Sequence, residues 1–195
     1  MARVAAVDLG TNSTRLLVAD VVDGRVDEVA RRLTITRLGE GVDARRKLLP
    51  VPIARVRNTL SDYRREAEEL GVTRVLAIAT SAVRDAENGE AFLGEIEWSY
   101  GFATRLLDGG EEAGMMLRGV SAGRPVAPGT LLVDIGGGST ELVLASAVGG
   151  PASTSLDVGC VRLTERFLIS DPPSAAELDD VAALAVLIGE LIHAR

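Results

Sequence analysis

Asp8 and Asp134 each end a short apolar run, and each is followed by glycine and then by small hydroxyl residues. Such a turn suits phosphate, because glycine lets the backbone approach an anion closely and aim successive amides at it, while hydroxyls add donors. The first turn offers Gly10, Thr11, Asn12, Ser13 and Thr14, and the second offers Gly136, Gly137, Gly138, Ser139 and Thr140. A carboxylate would repel phosphate, so Asp8 and Asp134 are read as ligands of a divalent metal, directly or through water. One such turn alone is as readily an ordinary glycine hairpin. Residues 7–19 and 133–145, however, are identical at 7 of 13 positions at a constant offset of 126. The copies differ where Arg15 corresponds to Glu141. This assigns a phosphate contact to Arg15 and a metal or water ligand to Glu141.

Each turn needs two strands to hold it. The apolar runs on either side of both turns supply them, so the chain carries two copies of a strand, turn, strand unit and two related lobes facing a cleft. Residues 26–38 continue the first copy as a third strand. A helix is expected over 50–70, where Ile53, Val56, Leu60, Tyr63, Ala67 and Leu70 recur three and four apart before Gly71. Residues 74–80 and 103–108 read as strands, 81–98 as mostly helical, and 111–120 as a helix start. The Gly/Pro-rich stretch 121–129 is the best boundary, giving lobes 1–122 and 129–195. Beyond it come strands at 131–136, 141–148 and 151–159, then helices from about 160 to 168 and from 174 onward. The fold class is α/β, a mixed sheet flanked by helices in each lobe.

Composition narrows the partners. The formal net charge is -7 and aromatic residues are 3%, which leaves neither the basic stripe nor the stacking platforms of a nucleic-acid binder. A polyanion must be held by local devices. The opening residues are too short and wrongly flanked for a secretory signal, and no apolar run reaches membrane-spanning length, so a soluble, cytoplasmic protein without membrane contact is expected. Cys160 and His193 are too few for a zinc site and are read as structural, Cys160 as a small buried hydrophobe. The basic triplet 45–47 is read as a solvated loop or as lining for a long anionic chain.

The two loops, DLGTNSTRLLV and DIGGGSTE, resemble those of the exopolyphosphatase and guanosine pentaphosphate phosphohydrolase family, within the actin, hexokinase and heat-shock ATPase superfamily. Three further segments, RLGEGVDA (37–44), ATSAVRDAEN (79–88) and GCVRLTERFL (159–168), match in the family's order. The resemblance implies actin-like, ribonuclease H-like lobes, Mg²⁺ as cofactor and a phosphoanhydride substrate: inorganic polyphosphate, or guanosine pentaphosphate. DGGEEAG (108–114) resembles the family segment whose second glutamate activates the attacking water. That position is Glu112, 22 residues before Asp134. Without the resemblance, Glu112 reads first as an acidic first helical turn. Arg84 resembles a family arginine that contacts substrate phosphate, suiting the guanidinium's bidentate geometry.

Two substitutions depart from the pattern. Asp108 replaces a serine, and Gly114 replaces an arginine at a helix-propensity cost of up to about 1 kcal/mol. The resemblance also implies roughly a further hundred residues completing the second lobe, so that lobe is expected to be partial. An uncovered sheet edge and apolar face predict a homodimer, marginal stability or a weakly active chain. Two rival readings remain: a sugar kinase or ATPase of the superfamily, and a non-catalytic binder of polyphosphate or an alarmone.

Overall fold

In the computed structural model, residues 2–146 and 150–193 are described, without the side chains of 187, 188 and 191–193. The side chain of His193 and the end of the strand expected at 141–148 therefore lie outside the described residues.

Strands β1 (Ala2–Leu9), β2 (Ser13–Val22), β3 (Arg25–Ile35), β4 (Arg74–Ala79) and β5 (Ala103–Leu106) form one mixed sheet in the order β3-β2-β1-β4-β5. The first three pair antiparallel, as tight connections allow; β4 and β5 join parallel to β1 after helical crossovers. The long crossover is α2 (Pro50–Glu69), which starts with proline at its first position and stops before Gly71, whose φ is +71°. It buries Val56, Leu60, Tyr63 and Ala67, on the face that the sequence spacing predicts, while Ile53 packs partly buried beside them. The region 81–98 resolves into α3 (Ser81–Arg84) and α4 (Gly89–Tyr100). Together with Val7, Leu9, Leu16, Val18, Phe92 and Ile96 these make the main core. The opposite face of the sheet leaves Leu33 and Leu76 exposed.

A second, antiparallel sheet holds β6 (Leu131–Ile135), β7 (Thr140–Leu144) and β8 (Ala152–Leu156) in that order. Helices α6 (Cys160–Phe167) and α7 (Ala175–His193) follow, and a short α1 (Val42–Arg45) lies between β3 and α2. α5 (Gly109–Gly123) precedes the Gly/Pro stretch yet packs against β7 and β8. Strand β6 exposes Leu131, Val133 and Ile135. Among the described residues no helix is long and apolar enough to cross a membrane.

Candidate phosphate-binding cleft

The two repeated hairpins are superimposable in their bonding. Asp8 pairs across the ladder with Arg15, and Asp134 with Glu141. Each turn is closed by the same bond, Gly10 N–H to the Ser13 carbonyl at 3.0 Å and Gly136 N–H to the Ser139 carbonyl at 2.9 Å. The turns face each other across a cleft of about 200 Å³ lined by both loops, Asp8, Asp134, Arg15, Glu112 and Glu141. They touch at its base. A Cβ on Gly137 would lie 3.0 Å from the Thr11 Cβ, and one on Gly138 only 2.4 Å from the Ser81 hydroxyl.

What aims the amides is the backing behind each loop. The Thr11 carbonyl accepts from Gly39 N–H at 2.8 Å, and the Asn12 carbonyl from Thr36 and Arg37 N–H at 3.1 and 2.9 Å. In the second loop the Gly136 carbonyl accepts from Cys160 N–H at 3.0 Å, and Gly137 from Val161 and Arg162 N–H at 2.9 and 3.1 Å. The Gly138 carbonyl takes the Arg162 Nε at 2.9 Å. These donors are the first amides of α6, which have no partner inside their own helix. A planar trans peptide turns the next N–H away from a tied carbonyl. The amides of Thr11, Asn12, Gly137, Gly138 and Ser139 accordingly donate to no protein acceptor among the described residues.

Glu112 reaches this cleft because its neighbour is otherwise engaged. Glu111 folds back in a capping box, its N–H donating to Asp108 Oδ1 at 2.8 Å and its carboxylate receiving Asp108 N–H at 3.0 Å. One residue further round the helix, Glu112 turns towards β7, and its buried Oε2 has no hydrogen-bond partner. The Arg84 guanidinium stands 3.6 Å from it, beyond hydrogen-bond range. Burial, with the charges of Glu141 and Asp8, pushes the Glu112 carboxyl up to about 7 against the pull of Arg84. Burial also raises Asp8, with Arg15 opposing and Asp134 adding to the rise. Glu141 is 2% exposed and accepts from the Ser155 hydroxyl at 2.8 Å.

The structure thus gathers Asp8, Gly10, Thr11, Asn12, Ser13, Arg15, Glu112, Asp134, Gly136, Gly137, Gly138, Ser139 and Glu141 around one cleft. Three of the expected phosphate ligands stand apart, the first being Thr14, which is fully buried with its hydroxyl 2.9 Å from that of Thr36. The Thr140 hydroxyl donates to the Val158 carbonyl at 2.6 Å, and Arg84 donates to the Leu107 carbonyl at 2.9 Å behind Glu112. Cys160, expected to be buried, is exposed and lines the cleft, because the first turn of α6 abuts the second loop. Lys47 of the basic triplet pairs with Glu87 at 3.4 Å. The residue that pattern reading missed is Arg162, whose segment gave the signal without the role.

For a divalent cation the residues fit in one particular way. Among the described residues, no three His, Cys, Asp or Glu side chains converge into a cage. Yet Asp8, Asp134, Glu112 and Glu141 share one cleft in which Arg15 is the one cationic side chain among the lining residues, and burial, with neighbouring carboxylates adding to it, pushes Asp8 and Glu112 upward. That excess of negative charge suits Mg²⁺, which keeps several waters and takes one or two carboxylates plus phosphate oxygens.

Comparison with known proteins agrees with this geometry. Residues 17–190 match the model of the Ppx/GppA phosphatase family. A protein named exopolyphosphatase 2, from Mycobacterium tuberculosis, is 43% identical over 94% of this chain and 60% of its own length. A protein from Photobacterium profundum named guanosine-5'-triphosphate,3'-diphosphate pyrophosphatase is 32% identical over 84% of this chain and 33% of its own. The crystal structure of an exopolyphosphatase-like protein superimposes with a TM-score of 0.88 at 36% identity, covering 97% of this chain and 61% of that one. The chain spans about 60% of the length of the first of these relatives.

Proposed function

The chain belongs to the Ppx/GppA phosphatase family, and from that premise we propose that it hydrolyses the terminal phosphoanhydride of inorganic polyphosphate, releasing orthophosphate. One observation carries the reading: a buried carboxylate oxygen on Glu112 that no hydrogen bond satisfies, at the edge of a cleft walled by two amide-bearing loops. The free amides of Thr11, Asn12, Gly137, Gly138 and Ser139 would cradle the terminal phosphate oxygens, with Arg15 adding a charge-assisted contact. Glu112, raised towards neutrality, would accept a proton from the attacking water and hold it in line with phosphorus. Arg84 would hold Glu112 in place or reach the phosphate once substrate arrives. Asp8 and Asp134 would hold Mg²⁺, with Glu141 orienting one of its waters. When bound, Mg²⁺ would neutralise charge on the transferring phosphoryl group. Residues 1–122 and 129–195 are taken as the two lobes, and a cytoplasmic homodimer covering exposed Leu131, Val133 and Ile135 goes with this reading.

The test is phosphate release from long-chain polyphosphate with Mg²⁺, comparing the chain with Glu112→Gln at matched folded concentration. Loss of about 10²- to 10⁴-fold in the variant is expected of a general base. No release by the folded wild type, with tight polyphosphate binding, would overturn hydrolysis in favour of a non-catalytic binder. The likeness to a guanosine pentaphosphate enzyme name supports a second reading, hydrolysis of that nucleotide's terminal phosphate. Parallel assays on both substrates separate the two.

A further inference from the structure

Arg162 lies in α6 and is 8% exposed, and none of its donors points into the cleft. Its Nε donates to the Gly138 carbonyl at 2.9 Å, its Nη1 to Asp43 at 2.5 Å, and its Nη2 to Asp85 at 2.5 Å and the Ser81 hydroxyl at 3.3 Å. Asp43 belongs to α1 and Asp85 caps α3, so both anchors stand on the side of the first sheet. Arg166 grips Asp43 from the other side, at 2.6 and 2.8 Å. Beside this cluster a pocket of about 20 Å³ leaves room for about one water.

A buried ion pair is weak grounds for stability, because desolvation cancels much of the attraction. What a guanidinium offers is geometry: a planar fork with donors fixed in three directions, which an ammonium cannot reproduce. Here one arm holds the peptide between Gly138 and Ser139, and the other two hold the side of the molecule that carries the opposing loop.

We propose that Arg162 is a positioning residue of the cleft: its buried guanidinium ties the Gly138 carbonyl to Asp43 and Asp85, fixing both the aim of the Ser139 amide and the spacing between the two phosphate loops. The inference rests on the reading of the cleft as a phosphate site. It gives the three motif segments outside the loops a common purpose. Residues 37–44 and 79–88 supply the two aspartates, and 159–168 supplies the arginine. Arg162 touches no reacting atom. Its influence passes through one peptide plane.

The test uses amide hydrogen exchange on the whole chain, followed by kinetics. In Arg162→Lys, exchange at the bonded amides around the second loop, Gly136 on the Ser139 carbonyl and Cys160 and Val161 on the Gly136 and Gly137 carbonyls, should rise by about tenfold or more, while residues 141–144 change by less than about twofold. KM for long-chain polyphosphate should rise by about tenfold, more than kcat falls, because a misaimed amide weakens binding before chemistry. Asp85→Asn should shift both readouts the same way by about threefold, and it decides the matter if Arg162→Lys does not fold. Arg166→Leu, which removes an Asp43 partner without touching Gly138, should lower the melting temperature and leave loop exchange and KM within about twofold. Exchange at these three amides that is unchanged, or raised equally everywhere, would overturn the proposal. So would a KM that stays fixed while kcat falls only with the folded fraction. A wild type that neither binds tripolyphosphate nor releases phosphate would sink the functional reading alone, since loop exchange still reports whether Arg162 holds the loop.

Discussion

The first and second hairpins share register, closing bond and 7 of 13 residues, among them the Asp, Gly, Ser and Thr of each turn. They differ within the turn, where Thr11 and Asn12 correspond to Gly137 and Gly138, in one cross-strand partner and in what stands behind them. Asp8 faces Arg15, 3.7 Å away, so that wall is internally balanced; Asp134 faces Glu141, so that wall stacks two carboxylates. The first loop is backed by neutral amides from 36–39, the second by the first turn of α6 and a buried arginine. The lesson is that a repeated backbone supplies the anion-cradling turn, while a single side-chain difference divides the labour between walls.

The comparison breaks most sharply at the glycines of the two backings. A Cβ on Gly159 would lie 2.4 Å from the Gly137 carbonyl carbon and oxygen, whereas one on Gly39 would meet the Thr11 methyl at 2.3 Å. Backbone cannot step aside and a threonine methyl can. Gly159→Ala should cost about 3–5 kcal/mol and Gly39→Ala about 1–3 kcal/mol in denaturant unfolding; equal costs would refute the distinction.

Next in size is the carboxylate crowding at the second wall. Glu112 ionises near 7 in the folded chain against an ordinary 4.5. The sign follows from the direction of the shift: folding favours its protonated form, so its contribution is fully present below pH 4.5 and is lost as pH rises through 7. Glu112→Gln should therefore be more stable than wild type above pH 7 by on the order of 3 kcal/mol, and equal to it near pH 4. Wild-type turnover should climb about tenfold per unit below pH 7 and level off above it, since the base must be ionised. Smaller again is the exchange of charge between walls. Arg15→Gln should raise KM several-fold, by about 1 kcal/mol, and Glu141→Gln should weaken the dependence on Mg²⁺ while sparing phosphate binding. The smallest is Asp108→Ala, which removes the α5 cap at about 1 kcal/mol of stability and loosens the aim of Glu112.

Much of this was legible in the sequence because it is local. The hairpins follow from a 13-residue repeat and α2 from spacings of three and four, while Glu112 stands out only through the resemblance of DGGEEAG to the family segment. The illegible part is long-range. Arg162 and Asp43 are 119 residues apart in the chain, and the motif segments that carry them gave no sign that the two side chains meet. Cys160 looks apolar by type and is exposed because it opens the helix that buttresses the second loop. The hydroxyls were separable only by their partners: Thr14 meets the Thr36 hydroxyl at 2.9 Å and Thr140 meets the Val158 carbonyl, so both brace strands rather than face the cleft. Arg84 shows the same limit, since its segment was visible and its direction was not.

The pairing of Arg15 with Asp8 on one wall, and of Glu141 with Asp134 on the other, also gives the cleft a polarity. Two equal walls related by a repeat would accept the end of a polymer in either sense, as a socket with two-fold symmetry accepts a plug both ways. With a guanidinium on one side and an extra carboxylate on the other, the two senses differ in energy. An anion placed in this cleft would be drawn to the Arg15 wall and a cation to the Glu141 wall, so the two charges sort themselves to opposite sides.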